Sequence, residues 1–157
     1  MRAPKLVQHM KANAERMSDE VLQKIRRSEK CSELVQKLPL EEQKHYAADI
    51  YRDLTDWLAS ESDDTIERRY VALGTLRAQQ GIPFSNLHWA VCIAHEYLWQ
   101  YMQNECLLEE PVEFWGGVIL LRSLTQFFNR VVYFASLGYE RASRRDVGVT
   151  EAQSVQG

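Results

Sequence analysis

His88, Cys92 and His95 fall at i, i+4 and i+7 in a segment of helical spacing, and all three are metal-ligand types. Such a row on one helix face raises the possibility of a metal or haem site. Geometry limits it. His88 and His95 are separated by about 10.5 Å of axial rise, so the three side chains cannot converge on one tetrahedral ion. Two neighbours with ligands from another helix could hold a metal, and His88 or His95 alone could serve as an axial haem ligand. The plainer reading makes Cys92 a small buried hydrophobe and the histidines hydrogen-bonded core or rim residues. On balance no cofactor and no metal site are expected.

Other catalytic patterns are missing. His95-Glu96 opens like HExxH, but the fifth position is Trp99. A phospho-acceptor histidine would want a downstream Arg and Pro that do not follow. Gly116-Gly117 lacks the Lys or Ser of a phosphate loop, and there is no GxSxG. Asp63-Asp64 and Glu109-Glu110 sit at helix boundaries, where capping accounts for them. Arg141, Arg144 and Arg145 read as a cationic helix C-terminus. With no nucleophile–base constellation, the chain is not expected to be an enzyme.

Aromatics supply the remaining clue. Trp89, Tyr97, Trp99 and Tyr101 lie on one apolar segment and Trp115, Phe127 and Phe128 on the next. They could wall an apolar pocket, although core and interface are the commoner fates. The ligand-pocket candidates are therefore His88, Trp89, Cys92, His95 and Trp99.

The elements that must position these residues are all helical. Leu6, Met10, Ala14, Met17, Val21 and Ile25 step by three and four, predicting a helix to about Ser28, with Ser18 as an alternative start for a second. A short helix or turn over 31–38 is stopped by Pro39. The segment 40–59 buries Tyr46, Ile50, Leu54, Trp57 and Leu58 and wets Glu42, Lys44, Asp49, Arg52, Asp53 and Asp56. A further helix to about Gln80 uses Ile66, Tyr70, Leu73 and Leu76, with Gly81 as its left-handed end and Pro83 beyond. Ser85 caps a helix to about Leu107 whose one charge between Ser85 and Asn104 is Glu96. The last helix, 112–144, carries two apolar rows about 100° apart.

The chain has 157 residues, 19 basic and 22 acidic, for a net charge of −3. Its 45% hydrophobic content suits one globular domain, here 1–145, followed by a disordered polar tail over 146–157. The acidic balance argues against nucleic acid and against charge-driven membrane binding. No stretch is apolar enough to span a bilayer. Three cysteines, no CxxC and no apolar leader point to the cytoplasm. The expected fold is all-α, a bundle of five to six helices. Its last two helices are too apolar for a small monomer's surface, so a homodimer is expected. Trp115, Val118, Leu121, Phe128 and Val132 are the interface candidates.

Residues Tyr70 to Trp99, YVALGTLRAQQGIPFSNLHWAVCIAHEYLW, carry a family likeness. A helix ending L-G-x-L-R-A-x-Q-G-I-P, then a Ser-led apolar helix ending L-W, resembles the N-terminal helical domain of RsbT co-antagonist proteins of the RsbR and RsbRD type. Leu73, Gly74, Leu76, Arg77, Gly81, Ile82, Pro83 and Ser85 carry the match over about thirty residues. The resemblance implies a non-enzymatic sensory or regulatory input domain of stress-response signalling, dimeric and feeding an output domain or signalling partner. It also implies a globin-like helical arrangement without haem. After Arg145 only a short polar tail is read, so either a stand-alone version or a piece of a longer protein is expected.

Overall fold

The computed structural model describes residues 4–60, 62–105 and 114–156, with the side chains of residues 4, 114–117 and 146–156 outside that description. Every element among them is helical: α1 (Pro4–Ala12), α2 (Ala14–Arg27), a 3-10 turn (Glu29–Cys31), α3 (Ser32–Lys37), α4 (Leu40–Ser60), α5 (Asp64–Gln79), α6 (Phe84–Asn104) and α7 (Phe114–Gln156). The all-α fold is thus as the periodicity requires, with seven helices rather than five or six. The first predicted helix is interrupted at Asn13, whose φ −121° and ψ 19° leave the helical region and whose side-chain amide shares the His9 carbonyl with its own backbone N–H. Ser18 lies inside α2 and bonds back to the Ala14 carbonyl. The short α3 accounts for the other extra element.

Polar side chains stitch the short segments to the long ones. Asn86 of α6 accepts from the backbone N–H groups of Glu33 and Leu34, supplying the N-terminal cap that α3 lacks from its own sequence. Buried Gln43 donates to the Val35 and Leu38 carbonyls and accepts from Arg26, joining α2, α3 and α4. Tyr51 of α4 donates to the Ala94 carbonyl of α6, and Tyr139 of α7 to the Ile82 carbonyl. The core between them is continuous from Leu6 through Leu54, Leu98 and Met102 to Phe127 and Val131.

α5 lies antiparallel along α7 in the most extensive helix pair of the fold. Two glycines permit the approach. A Cβ on Gly74 would fall 1.9 Å from the Ala135 carbonyl oxygen, and one on Gly138 would fall 2.0 Å from that of Val71. α5 then ends as the sequence predicts. Gly81 adopts φ +70°, its N–H bonds to the Ala78 carbonyl, and the Ile82 N–H bonds to that of Arg77. This is a Schellman ending, and buried Ile82 supplies its apolar contact. α6 begins at Phe84, so Ser85 falls within its first turn rather than before it.

Two expectations are corrected. Asp53, assigned to the wet face of α4, is buried because Arg69 and Tyr70 of α5 meet it there. The polar segment after Arg145, expected to be disordered, continues α7 as helix to Gln156. Extending an existing helix adds one hydrogen bond per residue fixed and needs no new nucleus.

Candidate functional site

A cavity of about 250 Å³ lies between α2, α4, α5 and α6. Its walls are largely hydrocarbon, from residues such as Val21, Ile25, Ile50, Leu73, Leu87 and Val91. Two polar groups bracket it. At one end Asp53 is buried, accepts from the Tyr70 hydroxyl at 2.7 Å and pairs with Arg69. Burial holds its carboxyl above the usual range, against the pull of Tyr70 and Arg69. The same burial raises the Tyr70 hydroxyl well above its ordinary value, so Tyr70 is the donor in that bond.

At the other end stands Arg77, 1% exposed. Its guanidinium stacks over the Tyr46 ring at 4.4 Å and donates through Nη1 to Gln80 Oε1 at 2.8 Å. Nε has no hydrogen-bond partner, and among the described residues no carboxylate pairs with the group. Burial lowers its proton affinity, and Tyr46 and Glu42 oppose that shift. Its position follows from the helix ending. Arg77 is the residue whose carbonyl receives the Ile82 N–H, so the last turn of α5 is fixed and the side chain turns inward.

Seven residues separate Tyr46 from Asp53 on α4, and seven separate Tyr70 from Arg77 on α5. Each interval rises about 10.5 Å. The antiparallel helices therefore set the unpaired cation and the neutralised carboxylate about two turns apart, with apolar wall between.

His88, Trp89, Cys92, His95 and Trp99 do not line this cavity. They occupy α6 beside the wall residues Leu87, Ala90, Val91 and Ala94. His88 is exposed, with its ring 6.0 Å from that of Phe84. Trp89 is half-buried under the Lys30 ammonium, 3.9 Å above its ring. His95 stacks flat on Phe128 at 4.4 Å, and its Nε2 is buried without a partner. Burial lowers its proton affinity below the ordinary value, with Glu96 opposing. Burial also raises the Cys92 thiol and pushes the Cys31 thiol up to about 11, so neither is a ready thiolate nucleophile. Cys106 lies outside the described residues. Among those described, no group of three or more His, Cys, Asp and Glu could hold a metal ion.

A second, open groove of about 690 Å³ runs between α1, α2 and α4. Lys11, Glu15, Asp19, Lys44, Arg52 and Asp56 give it both signs of charge, with no single ligand charge favoured.

The interface candidates divide. Val118 is 42% exposed, and Leu121 and Val132 are half-buried. Phe128 is a correction: at 2% exposure it is enclosed within one chain, because His95 and Phe127 cover it. The side chain of Trp115 lies outside the described residues. Reading along two apolar rows missed Ile119 and Tyr133, which are 53% and 59% exposed. Arg77 was missed as well, since a cation in a helix's last turn looks like an ordinary dipole partner.

Residues 15–154 match the family described as the RsbT co-antagonist protein rsbRD N-terminal domain. The chain belongs to this family. It is therefore a stress-response signalling domain of the RsbRD N-terminal type, and that family is a regulatory one rather than a known enzyme family. The match spans every helix from α2 to α7, including the segment beyond Arg145. No curated protein and no solved structure matches the chain. Among the described residues no helix is long and apolar enough to cross a membrane.

Proposed function

We propose that this RsbRD-type domain is a cytoplasmic sensory input domain that forms a homodimer through the outer face of α7 and passes a packing change to an output partner. The observation that carries the reading is the exposure of Val118, Ile119 and Tyr133 on one helix. Leu121 and Val132, half-buried beside them, widen the apolar strip, and solvated apolar surface of this kind favours association. A two-fold pairing would place the same strip of each copy against the other.

A stimulus can shift such a dimer only through different affinity for two packings. α7 is the element common to the proposed interface, to the α5 contact and to the segment from Arg141 to Arg145 that leads to its C-terminal end. A change in how α7 packs is therefore carried to the end where an output partner would read it.

Light scattering tests the dimer. The expected mass is twice 18.3 kDa, falling to one copy in Val118→Glu and Tyr133→Glu, both solvent-facing positions where a charge leaves the fold intact. A wild-type monomer at all concentrations overturns the proposal.

A further inference from the structure

We infer that the cavity between α2, α4, α5 and α6 is a binding site for a small aliphatic carboxylate, with its head on Arg77 and its chain along the apolar wall. As a binding site it stands on the cavity alone; as the stimulus it rests on the sensory reading above.

Three features of the molecule lead there. First, a guanidinium keeps its charge in any protein environment, and an unpaired buried charge is costly. Arg77 is buried, its close contacts are the Tyr46 ring and the Gln80 amide, Glu42 acts on it only as a more distant charge, and Nε is left over. An anion is the partner that completes this set, and a carboxylate matches the planar fork of donors. Second, the other ionisable groups of the wall already have partners. Asp53 is held by Arg69 and Tyr70, and Asp49 by His45 and Arg52. The far end therefore has no free charge to offer, and a ligand with one anionic head has one orientation. Third, between the ends the wall is largely hydrocarbon, with Asp49 already held by His45 and Arg52, which disfavours a polar tail.

Volume sets the size. An apolar cavity of about 150 Å³ takes one benzene, about six non-hydrogen atoms. At the same filling the 250 Å³ here takes about ten, the size of octanoate.

Calorimetric titration and thermal unfolding of the full chain with octanoate, octan-1-ol and octylamine test the assignment. Octanoate should bind and raise the unfolding midpoint. Octan-1-ol should bind about tenfold more weakly, having no charge for Arg77, and octylamine not measurably. In Arg77→Gln the preference for the acid over the alcohol should vanish while the alcohol's affinity stays. In Ala90→Leu, which keeps Arg77 and fills the cavity, both should fail to bind. Equal affinity for acid and alcohol in the wild type overturns the head-group assignment. Undiminished binding in Ala90→Leu overturns the location, and no octanoate binding at all overturns the whole. Should Arg77→Gln fail to fold, the wild-type acid-to-alcohol ratio and Ala90→Leu decide by themselves. Light scattering on the same samples separates the two proposals: a monomer that binds octanoate sinks the dimer alone, and a dimer that ignores it sinks the ligand alone.

Discussion

Gly74 and Ala135 meet backbone to backbone where α5 runs against α7, with no room for a side chain between them. A Cβ at Gly74 would stand 1.9 Å from the Ala135 oxygen, and the Gly138–Val71 contact repeats this at 2.0 Å one turn away. Glycine in a helix interior normally costs up to about 1 kcal/mol relative to alanine. Here the sign should reverse. Gly74→Ala and Gly138→Ala should each destabilise by about 2–3 kcal/mol in urea titrations, because the helices must part. The double variant should lose less than the sum, since one separation accommodates both methyls. Stabilisation in either single variant would refute the contact.

Gly81→Ala tests conformation without crowding. The nearest atom to an added Cβ is Lys37 Nζ at 3.7 Å, so space is ample and only φ +70° resists. The expected loss is about 1–2 kcal/mol in the same titration. A neutral result would mean that the Schellman ending is not fixed.

Asp53, Tyr70 and Arg69 form a buried group whose members differ in importance. Tyr70→Phe removes one donor and leaves Asp53 on Arg69, for a loss of about 1 kcal/mol. Asp53→Ala strands a buried hydroxyl and takes away the partner of a partly exposed Arg69, for about 2–4 kcal/mol. Denaturant midpoints that rank the two variants the other way would show that Tyr70, not Asp53, organises the group.

His95 should make stability pH-dependent. Its folded-state proton affinity lies below the ordinary value of 6.5, so the unfolded chain takes up a proton first as pH falls. Stability from this residue is full above about pH 6.5 and is lost as pH drops through that value toward the lower folded one. Comparing urea midpoints of wild type and His95→Gln between pH 8 and pH 5, roughly the range in which a histidine changes charge, the wild type should lose more on acidification. Parallel curves would exclude the effect. Asp53 acts oppositely in more acidic solution, because its raised affinity favours the fold when protonated.

Much of this architecture can be read along the chain because it depends on neighbours three and four residues away. The stripe Ile50, Leu54, Trp57 and Leu58, the Gly81 ending and the early apolar row all fall where their spacing puts them, apart from Ala14, which is exposed. What escapes is whatever needs a distant partner. Asp53 looks solvated until α5 supplies Tyr70, seventeen positions on. Gly74 marks the family likeness, yet its use depends on Ala135 in α7. The cavity is harder still: its apolar wall resembles core, and the unpartnered Nε of Arg77 is what sets it apart. The α6 row of His88, Cys92 and His95, conspicuous by residue type, does not line this cavity.

The length of α7 has a mechanical consequence. Its 43 residues form a rod of about 64 Å, and the tight glycine contact lies well along it. From Gly138 to Gln156 is about 27 Å. A tilt of only about 5° at that fulcrum swings the far tip by about 2 Å, enough to break or make a hydrogen bond there. The glycines thus give the rod a tight seat, and its length turns a small slip in the bundle into a larger displacement at the far end.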